Sequence, residues 1–215
     1  MAKILLDNDI IAKCAAYCLL FEIAAAFDVS PSDLGVLGTL RFVLKERRLR
    51  TAGVGARVAH QALTRFLDTV EKMEPTQEEA LLAAQLEEAA IRLNLQFDVG
   101  ESQLCAIVVK RQVALLCTGD KRAIRCLQRL LADFAELSYL KRRIVPFEAL
   151  IKRMLTHLPY SKIRLEICAS QGTDKALEIC FQCHSDRGTI GETSAGIESY
   201  LGSIAKEAPN LIANA

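Results

Sequence analysis

The chain has 215 residues, with 27 Lys and Arg against 26 Asp and Glu and a formal net charge of +1. That length allows one full α/β core with an appendage, and the charge balance excludes a global field drawing in nucleic acid or a membrane, so any such binding must come from local patches. With 6% aromatic residues and no Trp, there is little sign of a base-stacking platform of the kind single-strand binders use.

No apolar run approaches the roughly 20 residues of a spanning helix, and MAKILLDNDII places two aspartates inside what would be a signal peptide's apolar region. The expected setting is cytoplasmic, with no membrane partner. Of the eight cysteines, Cys14, Cys18, Cys105, Cys117 and Cys126 sit in apolar helical or strand patterns and read as buried free thiols.

KILL at 3–6 reads as a short buried strand, followed by the polar turn Asp7, Asn8, Asp9 and a buried Ala-rich helix to about Phe27. Ser30, Pro31 and Asp33 form a helix start, and the pattern predicts a helix over roughly 31–48 that ends in the basic cluster LKERRLR. A further helix fits 55–73. Pro75 stops it, and Thr76 with Glu79 makes a capping box for the next one. Leu95 to Phe97 reads as a brief extended piece, followed by a helix from Glu101, a strand at 113–117, a helix over about 121–137 and a short strand at 143–147. Apolar strands separated by helices predict a mostly parallel sheet with helices on both faces. After Leu158 the pattern is less regular, which sets a main domain at 1–158 and a C-terminal appendage at 159–215. In the appendage Asp174 caps a short helix (KALEICFQC), and a last helix runs through Lys206. Cys180, Cys183 and His184 have the spacing of haem attachment, but without an export signal they read as thiols on an amphipathic helix, and no metal is expected there.

Carboxylates stand at the ends of several elements. Asp7 follows the first strand, Asp98 and Glu101 open a helix, and Asp120 follows the run VALLCTG. In a parallel sheet the strand C-termini gather on one edge, where ligand sites form. Carboxylates meeting there repel one another, and a divalent cation makes such a cluster tolerable. Mg²⁺ or Mn²⁺ takes oxygen ligands, lowers the pKa of a bound water and neutralises charge on a phosphate.

ILLDNDII, DVGESQLCAIV and LLCTGDKRAI, in that order, resemble the acidic motifs of PIN-domain ribonucleases over about 1–157. The resemblance implies a three-layer α/β/α domain and a metal-dependent endoribonuclease, with RNA as substrate and Mg²⁺ or Mn²⁺ as cofactor. Asp7 matches the family's first aspartate, Glu101 or Asp98 the acid at the start of the late helix, and Asp120 the aspartate after the hydroxyl residue Thr118, which would orient Asp120 or a water. Asp9 falls where the family often has Asn or Ser. The chain departs from the family at its other acid, on an early helix: Glu46 is the nearest candidate, but among Lys45, Arg47 and Arg48 it better suits a solvated, ion-paired face. Lys121, Arg122 and Arg125 follow the acidic turn and are candidate phosphate contacts. Many compact relatives are toxins paired with an antitoxin, so an antitoxin-like protein is an implied partner. The appendage would dock such a partner, cover the cleft or support a homodimer.

Other accounts stay open. Each acid also reads as a turn or capping residue, and the three basic residues as an exposed helix face. Asp7 and Asp9 also match the DxD of haloacid-dehalogenase-like phosphatases. A catalytically weak PIN-like binding or regulatory module is the alternative of a different class.

Overall fold

The computed structural model describes residues 2–46, 56–185 and 187–213, with the backbone only at 45, 46 and 56. Five short strands, β1 (Ile4–Leu6), β2 (Leu34–Leu37), β3 (Glu71–Met73), β4 (Leu115–Thr118) and β5 (Ile144–Pro146), form one sheet in the order β3-β2-β1-β4-β5. Every pairing is parallel, with Leu5 opposite both Gly35 and Leu116. The chain therefore builds outward from β1 to one side and then restarts at β4 on the other.

The pleat sorts the core into two layers, because successive side chains of a strand face opposite ways. Ile4, Leu6, Leu34, Val36, Cys117 and Val145 face one apolar cluster, and Leu5, Leu37, Leu116 and Ile144 face the other. The first is covered by α1 (Asn8–Ala16), α2 (Glu22–Ala26), α3 (Leu40–Glu46), α4 (Ala56–Thr69) and α8 (Phe147–His157). The second lies under α5 (Gln77–Arg92), α6 (Val99–Arg111) and α7 (Lys121–Leu130). This is the expected three-layer α/β/α arrangement, rich in helix and built on a parallel sheet.

Several elements differ from the sequence-based expectation. The helix expected from Ser30 lasts one 3-10 turn, Pro31–Asp33, closed by Ser30 N donating to Asp33 Oδ2 at 3.1 Å. Leu34–Leu37 then enters the sheet, where a Cβ on Gly35 would lie 2.6 Å from Leu5 Cδ2, so the strand needs the missing side chain. The helix expected over 55–73 ends at Thr69, and Glu71–Met73 is an edge strand. The long first helix breaks between α1 and α2, where Cys18 has a left-handed φ of 55° and Leu19 and Leu20 turn into the core. Residues 95–97 form no strand, and α7 stops at Leu130 before a 3-10 turn at Ala135–Leu140.

The segment after Leu158 forms α9 (Tyr160–Ala169), α10 (Lys175–Cys180) and α11 (Ile190–Glu207). Its Ile163, Ile167, Leu177, Phe181 and Ile197 lie in the first cluster, and its Ile204, Ala208 and Leu211 in the second. Ile212 bridges Ile144 in parallel, and Ala213 N donates to Ile144 O at 2.8 Å, so this segment covers the open edge of β5. Cys183, expected as a thiol, instead forms a disulfide with Cys168 across 15 residues, because the fold sets α9 against the turn that follows α10. Cys14, Cys105, Cys117, Cys126 and Cys180 are buried free thiols, and Cys18 is half-buried. Among the described residues, no helix is long and apolar enough to cross a membrane.

Candidate active site

The strand order reverses between β1 and β4, and the C-terminal ends of those two strands frame a crevice where parallel α/β sheets bind ligands. Asp7 leaves β1 there. Its N–H donates to Cys117 O at 3.0 Å, its Oδ1 caps α1 by accepting from Asn8 N at 2.6 Å, and its Oδ2 accepts from Thr118 Oγ1 at 3.0 Å. The residue is 6% exposed. Burial, and next the charge of Asp9, push its carboxyl up to about 6, against the opposing bonds from Thr118 and Asn8. The Thr118 bond to Asp7 ties the two strand ends together, and the same hydroxyl accepts from Asp120 N at 3.2 Å, which fixes the turn out of β4.

Glu101 stands in the first turn of α6. Its Oε2 accepts from Asp98 N at 2.9 Å, half of a capping box that holds the side chain back toward the sheet. Burial lifts its carboxyl to about 8, against the Asp98 bond, with Asp120, Asp7 and Asp98 adding repulsion. Asp7, Glu101 and Thr118 line one small pocket together with Phe97, Leu104 and Leu116. Asp98 is exposed at the start of α6.

Asp120 is placed differently. Its Oδ1 caps α7, accepting from Arg122 N at 2.7 Å and Ala123 N at 3.3 Å, while the Arg122 guanidinium pairs with Oδ2 at 2.5 Å. Burial alone would lift this carboxyl, but the hydrogen bonds and charge of Arg122 hold it below the usual carboxylate range. The three basic residues expected to contact phosphate are likewise engaged. Lys121 pairs with the buried Glu148 at 2.6 Å and sits 5.2 Å from the Tyr200 ring centre, Arg122 holds Asp120 and Gln96, and Arg125 pairs with Glu207. The Glu46 side chain lies outside the described residues.

Sequence reasoning missed the wall of this site. Lys13 bridges Asp9 at 2.7 Å and Asp174 at 2.9 Å, and these two carboxylates keep its ammonium charged against the opposing effect of burial. Lys13, Asp9, Asp120, Lys121, Glu148 and Asp174 border a cleft of about 320 Å³. The Asp9–Lys13 spacing of four residues is a readable helix pair. Nothing local announces Asp174 or Glu148. Gly119 completes the wall, for a Cβ there would fall 2.3 Å from Asp9 Oδ2.

No protein-family model, curated protein or solved structure matches the chain. The site is therefore judged on its own donors. Among the described residues, no group of three or more His, Cys, Asp and Glu side chains is arranged to hold a metal ion, in keeping with the commitment of Asp120 to Arg122. Two oxygen-donor carboxylates nevertheless suffice for Mg²⁺ or Mn²⁺, which keep most of their waters. Asp7 and Glu101 are such a pair, each lifted by burial and by neighbouring negative charge. Asn8 Oδ1, beside Asp7, is buried without a hydrogen-bond partner, and Asn8 Nδ2 lies 3.9 Å from where a Cβ on Gly100 would stand. A hard cation suits this donor set.

Proposed function

We propose that the protein is a metal-dependent endoribonuclease of PIN-like type, with Asp7 and Glu101 as its principal carboxylates. The observation that carries this reading is the placement of two buried-side carboxylates, both with raised pKa, at the switch point of a parallel sheet. Structural carboxylates normally gain partners that lower their pKa; here burial, with the charges of Asp9 and Asp120 on Asp7 and of Asp120, Asp7 and Asp98 on Glu101, outweighs the hydrogen bonds each acid accepts.

Asp7 and Glu101 would hold Mg²⁺ or Mn²⁺, with Asp98 and Asn8 beside them. The cation would supply a water of lowered pKa and neutralise charge on the phosphodiester. Thr118 keeps Asp7 aimed from the strand end, and the Asp98 N–H keeps Glu101 from swinging to solvent. Asp120 would join the set only by leaving Arg122, which frees the guanidinium for a phosphate oxygen. RNA is the substrate in this reading, in a cytoplasmic setting where the thiol pool would hold Cys168 and Cys183 reduced. A toxin role and an antitoxin-like partner rest on the family resemblance alone, and a homodimer on the segment after Leu158.

Mixed RNA with Mn²⁺ gives the test. Cleavage by wild type, abolished by EDTA and reduced on the order of a hundredfold or more in Asp7→Asn and Glu101→Gln, supports the proposal. Equal cleavage by wild type and variants, or none by any, overturns it. One observation favours the second reading, a binding module: Asp120 and the basic residues beside it are already paired. In that case Mn²⁺ titration would show no affinity sensitive to Asp7→Asn. The DxD phosphatase reading is weakened because Asp9, its acid–base member, is ion-paired to Lys13.

A further inference from the structure

A second feature of the same sheet edge lies outside the acidic site. Beyond the C-terminal ends of β2 and β3, a pocket of about 250 Å³ lined by Arg41, His60, Thr64, Asp68 and Lys72 meets another of about 110 Å³ that reaches Leu37, Gly38 and Glu74. Both are lined by Arg41, Leu67 and Lys72, so they form one trough with an apolar floor. It starts beside the acids: Leu37 Cδ1 and Asn8 Nδ2 each lie 3.9 Å from where a Cβ on Gly100 would stand, and Gly100 precedes Glu101.

Two properties set this trough apart. The cations around the acidic site are paired with carboxylates, whereas Arg41 and Lys72 form no ion pair among the described residues. Asp68 and Glu74 also line the trough and temper its charge, so charge alone would make a poor nucleic-acid site. The second property is aromatic. Phe42 does not line the trough but follows the lining residue Arg41, whose guanidinium lies 4.6 Å from its ring centre, and it is 53% exposed. An exposed ring stacked with a guanidinium offers a flat, sequence-tolerant surface for an unpaired base.

We propose that this trough seats the single-stranded RNA flanking the cleaved bond, one base stacking on Phe42 and Arg41 and the adjoining phosphates meeting Lys72 and Arg41. The proposal rests on the nuclease reading for the identity of its ligand. At Gly38 the Glu74 carboxylate fills the space a side chain would take, with Oε1 1.9 Å from where a Cβ would stand, so the backbone there stays low and the acid borders that end of the trough. The apolar floor fits sugar and base edges, and the two acids restrict phosphate contacts to the Arg41 and Lys72 side.

Fluorescence anisotropy of a labelled single-stranded oligonucleotide, with full-length metal-free protein in EDTA, separates the two contributions. Phe42→Ala should weaken binding on the order of tenfold with an unchanged salt slope, and Phe42→Tyr should restore it. Arg41→Ala with Lys72→Ala should weaken binding at least about tenfold at ~0.1 M salt and lower the log–log salt slope by about 1.4, the loss of two phosphate contacts on a single strand. Phe21→Ala and Arg129→Ala, equally exposed residues elsewhere, should change neither quantity. Unchanged affinity in the trough variants, or equal losses in the two controls, overturns the proposal. Hydrolysis with Mn²⁺ is scored separately: cleavage that persists while the trough variants bind normally sinks the trough alone, and absent cleavage with the expected binding losses sinks the nuclease reading alone.

Discussion

The carboxylate of Asp7 couples stability to pH. Its pKa is about 6 in the folded chain against an ordinary 3.8, so between these values the folded state holds more protons than the unfolded one. Stability therefore falls as pH rises through this window, by ~3 kcal/mol once it is passed. Glu101, lifted to about 8, extends the same trend upward. In EDTA, the melting temperature should drop between pH 5 and 8, and Asp7→Asn should flatten the lower part of that drop. Added Mn²⁺ should restore stability at pH 8 if the two acids bind it. A melting temperature that rises over this range would contradict the assignment. Gly119 gives a second residue-level test. Gly119→Ala brings a methyl to 2.3 Å from Asp9 Oδ2 and 3.2 Å from Lys13 Nζ. Because both are ends of flexible side chains, the Asp9–Lys13 pair should shift aside at a cost below about 1 kcal/mol by urea denaturation, the size of a surface ion pair. A loss of several kcal/mol would show that the pair is held rigidly. Asp7, Glu101, Thr118 and Asp120 were legible from the sequence because each sits at an element boundary marked by its own turn chemistry. That Asp120 faces Arg122 was not legible, since capping and metal ligation make the same demand for an acid after a strand.

At the level of elements, α5 and α6 are joined by more than apolar packing. Glu79 is 2% exposed and closes the α5 capping box by accepting from Thr76 N at 2.7 Å, while Arg111 Nε donates to it from the end of α6 at 2.6 Å. These contacts, led by Arg111, hold the carboxyl below its usual range. Arg111→Ala leaves a buried charge half-compensated and should cost on the order of 3 kcal/mol. Thr76→Ala, which removes only a cap, should cost about 1 kcal/mol. Chemical denaturation orders the two, and a larger loss in Thr76→Ala would refute this division. The Thr76–Glu79 box was readable because its signal lies within four residues. Strands β2 and β3 were not. LGVL and EKM are too short to display a period of two, each adjoins a helical pattern, and their extended shape is imposed by sheet partners far away in sequence, β1 for β2 and β2 for β3.

For the whole molecule, the residues after Leu158 act as part of the core. Removing 159–215 would strip Ile163, Leu177, Phe181 and Ile197 from one layer and uncover the β5 edge. The truncated chain should therefore fail to fold cooperatively, or aggregate through that edge, as judged by near-UV dichroism and sedimentation. A soluble, cooperatively melting 1–158 fragment would show that the main domain stands alone. Within the segment, the Cys168–Cys183 link closes a 15-residue loop, for which chain entropy gives ~3 kcal/mol. Oxidised wild type should exceed Cys183→Ser by roughly that amount, and the difference should vanish in dithiothreitol.

The hydrogen bond from Thr118 to Asp7 spans 111 positions of sequence, and the ion pair from Lys13 reaches Asp174. During synthesis, the first acid emerges from the ribosome long before the strand that anchors it or the segment that walls the cleft. A nascent chain that has released β1 through α5 carries Asp7 with neither Thr118 nor Glu101 beside it. If the acids cut RNA, the translating ribosome and its message are spared from this chain's own activity until α6, β4 and the end of the core have been made. In this fold, the order of manufacture is itself a delay on chemistry.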